Sequence, residues 1–377
     1  MSWAILFDEV FNRMEPVTHF LTGACLSRAG LNRKTALATL TTTLAAEAPD
    51  LDVLSRIGGP AFGLAHHRGF THSFLGLIPV SALVVGFVYV IWRLRGSGLE
   101  DPKLAPRWGL LFGYAYLAGL THILLDFTNN YGVRPFWPFV EKWYSWDIVF
   151  IFEPVIFVLL LLGLMLPGLF SLIDKEVGAR QHGPRGRLAA TLALSSVVLL
   201  YGLRDFEHRR AIAALEARSY QGADAVRVSA YPSPVNPFQW FGVVETPALF
   251  ALAPVNSLTP EVDPEGRLEF RFKPEETPVT LAAKKSYLGR AYLDWAQYPI
   301  TETEELQPPE GGYIVRFQDL RFEQMPGLMS RVLSRRGDRT RPLGAGVALD
   351  RSLHVVGDLF GSWKNRIPVP EPGPTGN

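Results

Sequence analysis

Three of the eight histidines in this 377-residue chain fall within Ala65-His66-His67-Arg68-Gly69-Phe70-Thr71-His72-Ser73. Imidazole this dense at the edge of an apolar run suggests metal chemistry at an interface, because neutral imidazole is a common metal ligand. His67 and His72 are five residues apart, which does not put them on one helical face. They converge more naturally from a loop, with Gly69 permitting the turn and Thr71 or Ser73 capping the helix that follows. His122 and Asp126 stand four apart in Leu120-Thr-His-Ile-Leu-Leu-Asp126 and share a helix face. That spacing suits two ligands of one ion, or a histidine donating its second nitrogen to a carboxylate. Asp50 and Asp52, in Pro49-Asp-Leu-Asp, are expected to project together from an extended backbone that Pro49 favours. Paired carboxylates bind Zn, Mn or Mg and can bridge two ions. Glu47 is a further candidate of the same kind. Arg68 could hold a phosphate oxygen bidentately or contact lipid headgroups. The plain alternatives are a His-rich polar loop, a solvated acidic loop and a His–Asp hydrogen bond between helices.

The elements that must position these residues are read from the apolar runs. Residues 74–92, 108–127, 148–170 and 188–203 form four candidate spans, the last one short. Before them, residues 18–29 and 35–48 suggest a short helical hairpin whose first helix opens beside His19. The connectors sort by charge. Arg93, Arg95, Lys103 and Arg107 lie between the first two spans, and Lys175, Arg180, Arg185 and Arg187 between the last two. The positive-inside bias makes that side cytoplasmic. His19, Asp50, Asp52, His66, His67, His72, Asp126 and Asp147 then fall at segment ends on the opposite face, with His122 one turn inside. Asn129, Asn130 and Arg134 in the 128–147 connector could line the same site. Trp137, Trp143, Tyr144 and Trp146 read as an interfacial aromatic belt.

After residue 205 the chain changes character. Residues 206–225 suggest an amphipathic connector helix, 226–363 a small β-rich soluble domain, and the proline-rich 364–377 a disordered tail. Alternation marks strands at 267–272 and 313–317 and a weaker one at 347–359, with a helix over 282–297. The expected fold is thus a polytopic α-helical membrane bundle, residues 1–205, carrying the site, with the β-rich domain on the same face. Net charge is +1, and no DNA-reading motif occurs, so nucleic acid is not an expected partner. The first residues lack a signal-peptide profile, so the spans are expected to be retained.

Taken together, His19, Pro49-Asp50-Leu51-Asp52, His67-Arg-Gly-Phe-Thr-His72-Ser73 and His122-Ile-Leu-Leu-Asp126 resemble the YdjM-like family of predicted membrane-bound, metal-dependent hydrolases. The segment Pro232-Ser-Pro-Val-Asn-Pro-Phe-Gln-Trp240 resembles the start of the part that follows the catalytic region in such proteins. A more distant similarity is to zinc-dependent phospholipase C and P1-type nucleases, which order their ligands as an early His, an Asp, a His, then His-x-x-x-Asp. No histidine follows Asp126 on the right face, so the resemblance implies one or two metals rather than three.

The resemblance and the shared face together imply an inner-membrane, multi-pass, metal-dependent hydrolase acting at the extracytoplasmic face on a phosphoester, lipid phosphoesters included. The expected metal ligands are His19, Asp50, His67, His72, His122 and Asp126, with zinc first and manganese or magnesium as alternatives. Asp50 or Asp52 would orient water, and Arg68 would steady developing charge. Membrane lipids are the expected partners. A cation- or proton-coupled transporter and a non-catalytic membrane protein are the competing classes.

Overall fold

The computed structural model describes residues 3–95, 104–176, 185–307, 311–323 and 343–360. Lys103, Arg180, His182 and the tail at 364–377 lie outside them. Helix α1 (Trp3–Arg28) is followed by α2 (Ala38–Glu47), a 3-10 segment (Ala48–Gly58), α3 (Pro60–His66) and a 3-10 turn (Phe70–His72). Then come α4 (Leu77–Arg95), α5 (Trp108–Thr128), α6 (Pro154–Glu176) and α7 (Arg185–Glu216). Among the described residues, four stretches are long and apolar enough to cross a membrane: Leu77–Arg95, Trp108–Thr128, Pro154–Ser171 and Gly186–Glu216.

Several expectations change here. The last span and the amphipathic connector are one continuous helix of 32 residues, because no proline or glycine pair interrupts the chain at 204–206. Helix α2, at 10 residues, is about 15 Å long and too short to span by itself. It is buried between α1 and α5. A methyl group at Gly23 would lie 2.5 Å from the Thr42 carbonyl oxygen, so glycine lets α1 and α2 pack backbone to backbone. Pro49 does not extend the chain. It occupies the first turn of the 3-10 segment, where a missing N–H costs nothing and the fixed φ suits a helix.

Beyond α7, two antiparallel sheets form. The first contains β1 (Arg227–Pro232), β2 (Gln239–Glu245), β3 (Leu249–Asn256) and β4 (Glu261–Val262) in that order, with β5 (Glu269–Phe272) also on β3. Helices α8 (Pro278–Lys285) and α9 (Tyr287–Trp295) stand where one helix was expected, with the break at the N-capping Ser286. The second sheet runs β6 (Pro299–Glu305), β7 (Tyr313–Asp319), β8 (Ala345–Leu349) and β9 (Val355–Phe360). The proline-rich segment before Trp240 is a joint with the bundle. The Glu153 carboxylate, at the start of α6, accepts from Arg204 of α7 at 2.7 Å and from the Val235 amide at 3.0 Å. Arg204 also donates to the Ser233 carbonyl at 3.2 Å.

A candidate metal centre at one end of the bundle

Ser73, not Thr71, caps α4: its Oγ accepts from the Gly76 amide at 2.9 Å. Gly76 is forced to be glycine, since a Cβ there would lie 1.7 Å from the Phe70 carbonyl oxygen. The left-handed residue of the His loop is Arg68, at φ 49, rather than Gly69. Gly69 serves a close approach instead, with Arg134 Nη2 and the His66 carbonyl oxygen both 3.3 Å from where its Cβ would be. Arg134 Nη2 donates to the carbonyls of Ala65 and His67, each at 2.7 Å, and so fixes the loop.

This folding brings His72 against the inner face of α5. His72 Nε2 lies 3.1 Å from His122 Nε2, 3.5 Å from Asp50 Oδ1 and 3.3 Å from Asp126 Oδ2. His122 Nε2 lies 3.6 Å from Asp50 Oδ1 and 3.4 Å from Asp126 Oδ2. Ligands tetrahedrally placed around an ion at bonds of about 2.0–2.1 Å are separated by about 3.3–3.4 Å. The two imidazole nitrogens lie at about that spacing from each other and from each of the two carboxylate oxygens, at 3.1–3.6 Å.

The tautomers also fit. His122 Nδ1 is 2.6 Å from the Ala46 carbonyl oxygen, which only accepts, so Nδ1 carries the hydrogen and Nε2 offers a lone pair. His72 Nδ1 lies 3.1 Å from Thr71 Oγ1 and 3.4 Å from Asp52 Oδ2; a hydrogen on Nδ1, donated to either oxygen, leaves its Nε2 in the same state. Two lone pairs 3.1 Å apart beside two carboxylate oxygens repel one another unless a cation or an added proton lies between them. Asp50, Asp52 and Asp126 against Arg68 leave a formal charge of −2 when the imidazoles are neutral, the complement of a divalent ion. His19 completes the cluster: it stacks on His122 with ring centres 3.8 Å apart and reaches Asp126 Oδ1 at 3.6 Å. His19, His122 and Asp126 form one set able to hold a metal, and Asp50, His72 and His122 another.

Asp50 and Asp52 thus do not act as a pair. They bracket the His72 ring, one beside each nitrogen. Asp52 Oδ2 also accepts from the Arg68 amide at 2.6 Å and from His67 Nδ1 at 3.1 Å. Burial works against the Asp52 carboxylate, but the His67 hydrogen bond, the nearby imidazoles and the Arg68 amide hold it below the usual carboxylate range. His67 lies outside both sets, and its edge faces Tyr131. His66 is exposed and turns back to the Phe62 carbonyl at 2.9 Å. Arg68 sits behind Asp126, not before it: Nη2 is 2.9 Å from Asp126 Oδ1 and Nη1 donates to the Gly132 carbonyl at 3.0 Å. Glu47 is close by, and burial together with the Asp50 charge pushes its carboxyl up to about 7.

The β-rich domain buttresses this end. The Arg68 guanidinium lies 4.7 Å from the Tyr131 ring centre, Trp295 Nε1 donates to the Tyr131 carbonyl at 3.1 Å, and Arg321 Nη1 to that of Asn130 at 3.0 Å. Asn129 Oδ1 accepts from the Tyr131 amide at 2.8 Å and so shapes the same turn. Trp143 and Trp146 are tied down by Asp294 and Asp205 at 3.1 and 2.9 Å, a role beyond an aromatic belt. Trp295 and Arg321 were not legible as site residues, because their partners are backbone carbonyls more than 160 residues away. Asp147 lies apart from the centre, in a cavity of about 410 Å³ with Phe127, Trp146 and His208. His208 Nε2 donates to the Ala230 carbonyl of β1 at 2.9 Å, and His354 pairs with Asp350.

Comparison with known proteins follows the bundle. The chain is similar to the uncharacterized protein YfhP of Bacillus subtilis (strain 168), at 28% identity over 153 residues, which is 38% of this chain and 43% of that protein. The chain therefore spans less than half the length of this relative. No solved structure matches. These matches do not extend to zinc-dependent phospholipase C or P1-type nucleases. The YdjM inner membrane protein profile matches residues 14–209, more than half of the chain and every residue of the His–Asp cluster. With its apolar helices, the chain is an integral membrane protein and belongs to the YdjM inner membrane protein family.

Proposed function

We propose that this protein is a metal-dependent hydrolase of phosphoesters, with one divalent ion held by His72, His122, Asp50 and Asp126. The observation that carries the reading is that His72 Nε2 and His122 Nε2, 3.1 Å apart, each lie 3.3–3.6 Å from an oxygen of Asp50 and of Asp126, in a cluster of charge −2. Two imidazoles with two carboxylates are a zinc or manganese donor set more than a magnesium one. A single ion is favoured because His122 belongs to both candidate sets and has only one nitrogen to offer. Arg68, 2.9 Å from Asp126 Oδ1, takes the place of a second cation. His19 stands ready as a fifth ligand or as a hydrogen-bond partner of Asp126.

When bound, such an ion supplies Lewis acidity at a phosphoryl oxygen and acidifies water. The residues supply the rest. Asp52 keeps the His72 ring in the tautomer that offers Nε2, and the Ala46 carbonyl does the same for His122. Arg68 orients Asp126 and so acts as a positioning residue. Asp50 is the one open member, its side chain 29% exposed where those of His72, His122 and Asp126 are 0–1% exposed. Substrate must approach on its side, and Asp50 or Glu47 is placed to take a proton from water there.

The basic residues Arg33, Arg93, Arg95, Arg107 and Arg187 flank the other ends of the same helices. On the positive-inside rule we read the centre as extracytoplasmic. Metal-dependent turnover of a phosphoester panel by purified protein, beside His72→Ala, tests the reading. No turnover with Zn, Mn or Mg, together with proton-coupled uptake into vesicles, would replace it with a transporter.

A further inference from the structure

Resting on that reading, we infer that the substrate is a bilayer phospholipid that reaches the centre from within the membrane, along the outer edge of the 3-10 segment Ala48–Gly58. A 3-10 helix repeats every three residues, so side chains at i, i+3 and i+6 line up along one edge. In this segment those positions are Leu51, Leu54 and Ile57, and they are 59%, 60% and 87% exposed. The other side of the same segment delivers Asp50 to His72 and His122, and Asp52 to His67. One short helix therefore carries a carboxylate ligand inward and a continuous apolar ridge outward.

The ridge runs past the only open member of the ligand set, since Leu51 directly follows Asp50. It is also continuous with the lipid-facing surface. The segment packs on α4, a spanning helix whose outward Leu83 and Phe87 are 73% and 58% exposed, and Phe74 at the base of α4 is 40% exposed. An aligned row of large aliphatic side chains beside a membrane span, rooted at its end, is the form of a segment lying in the headgroup–acyl boundary. Acyl chains are the occupant that this ridge suits. A phosphoester at the depth of the headgroups then meets Asp50 without leaving the bilayer. Arg56, exposed on the adjoining edge, offers the headgroup a cation.

The test uses the full chain, zinc-loaded, in phosphatidylethanolamine–phosphatidylglycerol vesicles. In a Cys25→Ser background, a bimane label at Ile57→Cys should be quenched by dibrominated-acyl phospholipids as strongly as one at Leu83→Cys. A label at Thr303→Cys, on the exposed face of β6, should be unquenched. In the same vesicles the Leu54→Glu/Ile57→Glu variant should keep its zinc, while its ratio of lipid turnover to turnover of a water-soluble aryl phosphodiester falls at least tenfold. An Ile57 label no better quenched than Thr303 would overturn the inference and point to water or a protein partner on the ridge. So would an unchanged ratio, even with the hydrolase reading intact. Quenching at Ile57 with no hydrolysis of any phosphoester would sink the hydrolase reading, and the substrate claim with it.

Discussion

Asp52→Asn is the most informative single change, because it alters the cluster without removing one of the four proposed ligands. The Asp52 carboxylate accepts the Arg68 amide at 2.6 Å, His67 Nδ1 at 3.1 Å and faces His72 Nδ1 at 3.4 Å. Asparagine is the same size and keeps an acceptor for the amide, so the loop should stay in place. What is lost is the charge that makes His72 a stronger base and fixes its tautomer. Removing such a partner lowers metal affinity about 10–100-fold, or about 1.4–2.7 kcal/mol. Asp50→Asn changes the formal charge by the same amount but weakens a proposed ligand, so its loss should be the greater. Competitive titration of detergent-purified protein against a chromophoric zinc chelator measures both, with thermal melting as a check on folding. Equal losses for the two variants would mean that only bulk charge matters. Unchanged affinity in Asp52→Asn would refute the bracketing of His72 altogether.

Other expectations follow from the same geometry. His67→Ala should lower zinc affinity by no more than about tenfold, and His72→Ala by more than about 100-fold, in the same titration; equal losses would put His67 among the ligands. Glu153→Ala strands the buried Arg204 and should cost about 3–5 kcal/mol in unfolding measurements, while adding Arg204→Met should recover much of it. Burial pushes the Asp147 carboxyl up to about 6, so its proton favours the folded state below pH about 4 and that contribution is lost as pH rises through 6. Asp147→Asn, which tolerates the φ of 58, should therefore be more stable than wild type at pH 8 by on the order of 1–3 kcal/mol. That difference should vanish near pH 4, and a pH-independent one would refute the cause given.

Much of the centre could be read from residue types and segment ends. Asp50, His72, His122 and Asp126 meet because each stands at or near the same end of its segment, a one-dimensional property that hydropathy exposes, whereas His19 does not open its helix as expected but joins them from the interior of α1, which already begins at Trp3. The separate roles of Asp50 and Asp52 could not be read, since they depend on the 3-10 geometry that points the two carboxylates to opposite nitrogens of one ring. Arg68 looked like a substrate clamp because nothing local shows that α5 places Asp126 against it. In the soluble part, β1 to β3 escaped detection for a physical reason. Leu249–Asn256 is buried on both faces along most of its length, so the polar–apolar alternation of a half-exposed strand is missing. The continuity of α7 was hidden in the same way, where a lipid-facing stretch passes without a break into one that packs on the sheet.

On the proposed reading, this bundle holds one divalent ion between two imidazoles and two carboxylates. Metal analysis with X-ray absorption on detergent-purified protein, prepared without chelator, tests it most directly. Wild-type protein should carry one zinc or manganese per chain, with two nitrogens and at least two oxygens at about 2.0–2.2 Å, and folded His122→Ala protein should lose that ion. Wild-type protein that binds no transition metal, or His122→Ala protein that keeps its full complement, would contradict it.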